Sequence, residues 1–212
     1  MAAYLDIVRH YERCLEQHGA GAEAVDWKDE TSARIRYGVM HGLFAHERER
    51  VRVLDFGCGL CAFKDHLDDQ GVDVAFEGLD LSPAFADAAR ARHRDVPVHC
   101  LDILDGTDGL PTFDYIIMNG IFTRRETLKE GDMMEYLVRL TRAAWGLTSR
   151  GLAFNVMSDA VDWKSDTLFH PDMAALARAV TENLSRHFTL RSDYGLYETT
   201  VYVYAQPKTE AS

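Results

Sequence analysis

Long apolar segments are missing from this sequence of 212 residues. No apolar run approaches the roughly 20 residues that a helix needs to cross a bilayer. The N-terminal stretch MAAYLDIVRHYERCLEQHG also lacks the apolar core of a signal peptide. We therefore expect a cytoplasmic protein without a membrane partner.

Positive charge is also scarce. The chain has 23 Lys and Arg against 34 Asp and Glu, which gives a formal net charge of −11. Because such a chain repels polyanions on average, we expect no nucleic-acid partner. The composition, 47% hydrophobic and 27% charged, is typical of a globular protein with a sizeable core.

Cysteine is too rare for a disulfide framework, since the chain has only four: Cys14, Cys58, Cys61 and Cys100. Cys58 and Cys61 form a C-x-x-C pair, a spacing found in redox centres and in halves of zinc sites. No second C-x-x-C and no H-x-x-x-H completes a tetrahedral set, so we expect no metal site. The alternative to a redox pair is two small side chains packed under a loop.

The pattern is helical up to about residue 48. Apolar residues at helical spacing predict a first helix with one apolar face: Tyr4, Val8, Tyr11 and Leu15. A second helix is predicted from about Thr31, after a break that contains Gly19 and Gly21. We interpret residues 1–48 as an N-terminal helical cap and residues 49–212 as the ligand-binding domain.

Short apolar strands alternate with helices after Val51. The first five strand segments are VRVLDF, VDVAFEGLDL, VPVHCLDI, FDYIIMN and GLAFNVM, and FDYIIMN, apolar on both faces, is expected to be central. The last two strands, in FTLRSDYGLYETTVYVYAQ, are joined by a short turn without a helix. The predicted fold is α/β: a doubly wound, mostly parallel seven-stranded sheet that ends in an antiparallel hairpin, with an N-terminal helical cap.

A glycine turn follows the first strand. Gly57-x-Gly59-x-x-Ala62 matches a pattern that brings bare backbone close to a ligand, and Asp80 ends the next strand. A carboxylate at that place accepts hydrogen bonds from the hydroxyls of a ribose. NAD, FAD and S-adenosylmethionine (SAM) all fit this pattern.

Asp55 discriminates among these ligands. It lies two residues before Gly57, where its charge would repel a pyrophosphate and would suit a ligand with an ammonium and a sulfonium. Asp102, at the end of the third strand, is placed either to accept from an adenine amine or to cap the following turn.

Four segments resemble the successive motifs of class I SAM-dependent methyltransferases: VLDFGCGLCAF, EGLDLSP, VHCLDIL and FDYIIMNGIF. The terminal hairpin also stands where that family has its last two strands. The resemblance covers about residues 51 to 206. It implies SAM as the cofactor and S-adenosylhomocysteine (SAH) as its product.

The resemblance also implies which residues bind the cofactor. Asp55 would receive the ammonium of SAM, and Asp80 would hold the ribose. Asp102 and Ile103 would border the adenine. The further contacts implied in the same turns are Gly57, Cys58, Gly59 and Leu81.

The sulfonium end of SAM would lie beside Asn119 and Gly120, after the fourth strand. The segments HGAGAEAVDWKDETSARIRYGVM and DYGLYETTVYV resemble a narrower group of small bacterial methyltransferases, although Gly195 stands where that group has Pro. In that group Trp27 and the pair Arg36-Tyr37 would belong to a lid over SAM, with Arg36 on the carboxylate of SAM. A solvated helix face is the alternative for Arg36.

Catalysis needs an aligned acceptor, a dry site and, for some acceptors, a base. Loops after the fourth and fifth strands and the hairpin are expected to supply these, with His170, Tyr197 and Glu198 as catalytic residues. Trp163 and Phe169 would wall the acceptor. The alternatives are that His170 caps the next helix and that the two tyrosines of the hairpin turn, Tyr194 and Tyr197, pack under the hairpin.

The predicted function is transfer of a methyl group from SAM to an oxygen or nitrogen of a small molecule. No N-P-P-Y or D-P-P-Y, the usual sign of methylation on nucleic-acid bases, follows the fourth strand. The alternatives are an NAD(P)-dependent reductase and a SAM-binding partner subunit without catalysis. The sequence leaves the oligomeric state open.

Overall fold

A computed structural model describes residues 4–19, 21, 25, 27 and 29–208 of the chain. The described helices are α1 (Leu5–His18), α2 (Glu30–His41), α3 (Ala62–Asp69), α4 (Pro83–Arg92), α5 (Glu130–Trp145) and α6 (Met173–Asn183). The strands are β1 (Arg52–Phe56), β2 (Ala75–Asp80), β3 (Val98–Cys100), β4 (Phe113–Phe122), β5 (Thr148–Met157), β6 (His187–Arg191) and β7 (Glu198–Tyr204). Most of the predicted break between the first two helices, at residues 20, 22–24, 26 and 28, lies outside the described residues.

The strands form one seven-stranded sheet in the order β3-β2-β1-β4-β5-β7-β6. The five strands from β3 to β5 are parallel, and β7 is antiparallel to both β5 and β6. The segment FDYIIMN lies in the central strand, as its apolar faces predict. The predicted fold class is therefore confirmed.

Short polar side chains begin three of the helices. Ser82 accepts a hydrogen bond from the backbone N–H of Phe85, and Pro83 occupies the first helical position of α4. Asp29 caps α2, and Asp172 caps α6 by accepting from the N–H of Ala175 at 2.7 Å. The alternative that His170 caps α6 is therefore wrong.

Both faces of the sheet are covered by apolar side chains. One cluster combines α5 and α6 with inward residues such as Leu54 and Phe154, and the other combines α2, α3 and α4 with Val53 and Phe76. The N-terminal helices share these clusters, because Ile7 of α1 lies in the first and Met40 of α2 in the second. The division of the chain at residue 48 stays a prediction.

The C-x-x-C pair is buried beside β2. A Cβ atom added to Gly78 would lie 2.8 Å from the Sγ of Cys58 and 3.1 Å from that of Cys61. A hydrogen bond with Cys61, together with burial, raises the pKa of the Cys58 thiol well above its usual range. Because the thiolate is the reactive form, this environment disfavours redox chemistry.

The described residues include no group of three or more His, Cys, Asp or Glu side chains arranged to hold a metal ion. None of their helices has both the length and the apolar character needed to cross a membrane.

Candidate active site

A cavity lies at the carboxyl ends of β1, β2 and β4, and residues of α1 cover it together with Val25 and Trp27. This is the switch point of the sheet, because β1 pairs with β2 on one side and with β4 on the other. The empty volume is about 1160 Å³, part of it open to solvent. Its lining combines many apolar side chains with a few polar groups, as is usual for sites that bind small molecules or cofactors.

The glycine turn after β1 forms one wall of this cavity. Gly57 has φ +73°, a conformation that favours glycine, and a Cβ atom there would lie 2.8 Å from the Cδ1 of Ile121, which would have to move. Its backbone N–H donates to the carbonyl oxygen of Leu79 at 2.7 Å. The next glycine, Gly59, donates its N–H to the Oδ2 of Asp80 at 2.9 Å, which joins the turn to the end of β2.

The Asp80 carboxylate is held in one orientation. Its Oδ1 accepts from the N–H of Ser82 at 2.9 Å while its Oδ2 accepts from Gly59. Burial raises its pKa to about 6, although these two backbone donors act in the opposite direction. Asp80 therefore presents a fixed acceptor to the cavity at the position predicted for the ribose.

Asp55 is the most deeply buried carboxyl group of the cavity, with 3% of the residue exposed. None of the described residues donates a hydrogen bond to it. Burial, and then the nearby charge of Asp80, raise its pKa to about 8. A cationic group bound beside Asp55 would favour its ionised form and so would bind most strongly to the deprotonated carboxylate.

Asp102, which follows β3, also lines the cavity. It accepts a hydrogen bond from the hydroxyl of Tyr4 on α1 and another from the N–H of Leu104 at 2.9 Å. The Tyr4 ring stacks on Tyr136 of α5, with centroids 4.9 Å apart. Asp102 thus caps the turn after β3 and also anchors α1, while its predicted contact with an adenine amine stays a prediction.

The charges around the cavity all have one sign. Its described lining residues include three carboxyl groups, Asp55, Asp80 and Asp102, and no Lys, Arg or His. At short range in a poorly solvated site, this arrangement attracts a cation and repels a pyrophosphate. The geometry therefore favours a cationic nucleoside over a dinucleotide.

A bulge in β4 aims Asn119 into the cavity. Met118 pairs with Phe154 of β5 and Phe122 pairs with Val156, so three residues of β4 lie opposite one residue of β5. Bulges of this kind are common next to active sites, where they redirect a side chain. Both amide atoms of Asn119 are buried and have no partner among the described residues, which leaves a donor and an acceptor open to a ligand.

All but one of the residues predicted to bind the cofactor line this cavity: Trp27, Asp55, Gly57, Cys58, Gly59, Asp80, Leu81, Asp102, Ile103, Asn119 and Gly120. The exception, Arg36, lies behind Trp27, with its guanidinium 5.0 Å from the indole centroid. The Nε of Arg36 donates to the Oε1 of Glu198 at 2.8 Å, and its Nη2 donates to the same oxygen. Its Nη1 is buried and has no partner among the described residues, so a contact with a cofactor carboxylate stays a prediction.

The Arg36 side chain is 14% exposed, so the alternative of a solvated helix face is wrong.

The three residues predicted to be catalytic do not line the cavity. Glu198 is 2% exposed and has both oxygens engaged, by Arg36 and by the Nδ2 of Asn155 at 2.7 Å. This geometry does not support Glu198 as a base. Tyr197 is 73% exposed, so the alternative of packing under the hairpin is wrong for it, whereas Tyr194 does pack against the core.

His170 keeps one ring nitrogen available. Its Nδ1 lies 2.6 Å from the carbonyl oxygen of Ser158, which can only accept, so Nδ1 carries the proton. The Nε2 of the neutral ring then has a lone pair, and this buried atom has no partner among the described residues. Backbone bonds from Phe169 to Thr123 and from Met157 to Phe169 hold the loop at the carboxyl ends of β4 and β5.

The predicted aromatic wall for the acceptor is wrong. Trp163 is 74% exposed, and Phe169 is fully buried in the core because its backbone pairs with the end of β4. The aromatic side chains that do line the cavity include three tyrosines that sequence reasoning did not place there: Tyr4, Tyr11 and Tyr136. Tyr37, predicted as part of the lid, also lines it. Asn155 was also missed, although one amide inside the apolar strand GLAFNVM is a signal that could have identified it.

Comparison with known proteins adds to this geometry. Residues 54–143 match the family model described as a methyltransferase domain. A protein of Mycobacterium tuberculosis (strain ATCC 25618 / H37Rv), named "Putative methyltransferase Rv1506c", is 30% identical over 155 residues, which are 70% of this chain and 90% of that protein.

Two solved structures have a similar fold. N-methyltransferase NodS from Bradyrhizobium japonicum WM9, in complex with SAH, aligns with a TM-score of 0.64 and 16% identity over 96% of this chain and 98% of that one. Magnesium protoporphyrin IX methyltransferase from Synechocystis PCC 6803, with bound SAM, aligns with a TM-score of 0.64 and 13% identity over 97% and 98% of the two chains.

Proposed function

Because the chain belongs to the SAM-dependent methyltransferases, we propose that it transfers a methyl group from SAM to an oxygen or nitrogen of a small molecule and releases SAH. One observation carries the choice of cofactor. The cavity at the switch point has three carboxyl groups and no cationic side chain among its described lining residues. Such a site suits the ammonium and sulfonium of SAM and disfavours the diphosphate of a dinucleotide.

The described residues fit the parts of this cofactor. Asp55 would pair with the ammonium, and the fixed carboxylate of Asp80 would accept from the ribose hydroxyls. Asp102 and Ile103, which both line the cavity, would border the adenine. When bound, SAM supplies a methyl group on a positively charged sulfur, which a nucleophile displaces in line.

Asn119 is the side chain best placed to act at the reacting end. Its amide has both an unused donor and an unused acceptor. The β4 bulge directs this amide into the cavity. Asn119 would orient the polar groups around the methyl group and the acceptor atom, so that the acceptor approaches along the required line.

His170 is the proposed general base. Its Nδ1–H is tied to the carbonyl of Ser158, which leaves Nε2 as the nitrogen able to take a proton. The backbone bonds of the neighbouring Phe169 hold this loop at the carboxyl ends of β4 and β5. An alcohol or ammonium acceptor loses a proton on methylation, and a positioned imidazole can accept it.

A small-molecule acceptor is supported by charge and by the related structures. The formal net charge of −11 disfavours a polyanionic substrate. The magnesium protoporphyrin IX methyltransferase, which shares the fold, acts on a small molecule according to its name.

The proposal is tested by calorimetric titration of the purified chain with SAM, SAH and NADH. We expect SAM and SAH to bind and NADH not to bind; binding of NADH alone would favour a reductase. Incubation with methyl-labelled SAM and a small-molecule extract then tests transfer. Label that moves to a small compound supports the enzyme, whereas tight SAH binding without transfer to any compound favours a non-catalytic partner subunit.

A further inference from the structure

Four side chains and one peptide form a closed ring beside the cavity. The N–H of Gly120 donates to the Oδ1 of Asn155 at 2.7 Å, and the Nδ2 of Asn155 donates to the Oε2 of Glu198 at 2.7 Å. Arg36 donates to the other oxygen of Glu198 and lies over the ring of Trp27. Trp27 closes the ring against Gly120, where an added Cβ atom would lie 3.6 Å from its Cζ2.

The ring is built around the bulge of β4. Gly120 has φ +86°, a conformation that other residues rarely adopt, and its N–H has left the regular ladder with β5. Asn155 is the β5 residue opposite the bulge, and its amide oxygen replaces the missing backbone acceptor. The conformation of Gly120, and with it the direction of Asn119, therefore depends on a side chain.

Every hydrogen bond in this ring has a fixed direction. A backbone N–H can only donate, so Asn155 must present its oxygen to Gly120 and its NH2 group to Glu198. A carboxylate can only accept, so Glu198 accepts from Asn155 and from Arg36. Asn155 and Glu198 are both buried, which makes a mismatch at either position costly because no water compensates for it.

We propose that Asn155 and Glu198 are positioning residues for methyl transfer: they hold the β4 bulge in the form that presents Asn119 and Gly120 to the cofactor. This inference rests on the proposed function, since it concerns the same cavity. In this inference Glu198 holds Asn155 in place and does not contact the substrate. Arg36 in turn fixes Glu198, and through Trp27 the segment before α2 is connected to the wall of the cavity.

An exchange of the two polar groups tests the ring. Asn155→Asp alone places two carboxylates against each other. In Glu198→Gln alone, the new amide has one oxygen and one NH2 group, so its NH2 group must face a donor, either the NH2 group of Asn155 or the guanidinium of Arg36. In the double variant N155D/E198Q every bond is restored: the carboxylate at 155 accepts from Gly120 and from the amide at 198, whose oxygen accepts from Arg36. SAH binding is measured by calorimetry, and folding by melting temperature.

We expect each single variant to bind SAH at least about tenfold more weakly than the wild type, because a hydrogen bond to a charged group is lost. The double variant should return to within about threefold, since its hydrogen bonds match again. Asn119→Ala should weaken binding in the wild type and in the double variant, but add little to Asn155→Asp. A residue that contributes only to stability would give neither the rescue nor this coupling.

Thr200→Val is the matched control. Thr200 is a buried polar residue of β7, and its hydroxyl bonds only to Tyr194 among the described residues, so its loss should leave SAH affinity unchanged. A double variant that binds SAH as weakly as the single variants, or that fails to fold, overturns the inference. Failure of the wild-type chain to bind SAH would instead overturn the proposed function.

Discussion

Replacing Asp55 by Asn should make the ligand-free protein more stable. Burial and the nearby Asp80 raise the pKa of Asp55 from 3.8 to about 8, so the folded state keeps its proton at neutral pH while the unfolded chain releases it. The folded protein is therefore most stable, as far as this group is concerned, below pH 3.8, where both states are protonated. Its free energy of unfolding falls progressively as the pH rises from 3.8 to about 8. Because pH 7 lies about three units above the unfolded pKa of 3.8 and below the folded pKa, the loss of stability at pH 7 is about 4 kcal/mol.

The variant Asp55→Asn removes this loss, because an amide stays neutral at every pH. Its free energy of unfolding should equal that of the wild type near pH 4 and exceed it by up to about 4 kcal/mol at pH 7. For a chain of this size that gain corresponds to an increase of roughly 8–16 °C in melting temperature. The assay is denaturant unfolding of both proteins from pH 4 to pH 8, with the exposed Asp87→Asn as the control.

The same substitution should weaken the binding of SAH. Loss of a charged partner for the ammonium of SAH should raise its dissociation constant by about 10- to 100-fold at pH 7.5. In the wild type, binding near pH 7 should release a proton from Asp55, which calorimetry detects by comparing buffers of different ionisation enthalpy. A stability difference that is constant with pH, or unchanged SAH affinity in the variant, would refute the reasoning.

Three further substitutions test other parts of the site. Asp80→Ala should weaken SAH binding by roughly 1–3 kcal/mol, because two ribose hydroxyls lose a charged acceptor; unchanged affinity in calorimetry would contradict the ribose assignment. Gly57→Ala should destabilise the protein by about 1–3 kcal/mol in denaturant unfolding, because φ is positive there and the new Cβ atom would press on Ile121. The control is Gly71→Ala, which has a similar φ without such a contact and should lower the free energy of unfolding by less. His170→Asn keeps a donor for Ser158 but removes Nε2, so methyl transfer from labelled SAM should fall at least about 100-fold while SAH affinity is retained; full activity would exclude His170 as the base.

The sequence predicted those features that depend on neighbouring residues. The alternation of strands and helices gave the order of elements, and the cap and proline at Ser82 and Pro83 gave the start of α4. The glycine turn with Asp55 and Asp80 also follows from local spacing, because these residues end adjacent parallel strands. The identification as a methyltransferase rested on this set of local motifs and is confirmed.

The remaining features depend on contacts between distant parts of the chain. Arg36 and Glu198 are 162 positions apart, and no periodicity shows that they pair. Phe169 belongs to the core only because its loop pairs with the end of β4, which the sequence of the loop does not indicate. The bulge at Asn119 is a difference in register between two strands, and register is set by the packed sheet.

Helix α1 contributes both a wall and an anchor to the ligand cavity, since Tyr4 bonds to Asp102 and Tyr11 faces the interior. An N-terminal truncation that removes α1 would therefore open the cavity and also remove Ile7 from the core cluster on that face of the sheet. Affinity tags are better attached after β7, at the other terminus. Engineering for a bulkier acceptor or cofactor analogue can begin with shorter side chains on this helix, because it borders the site without belonging to the sheet.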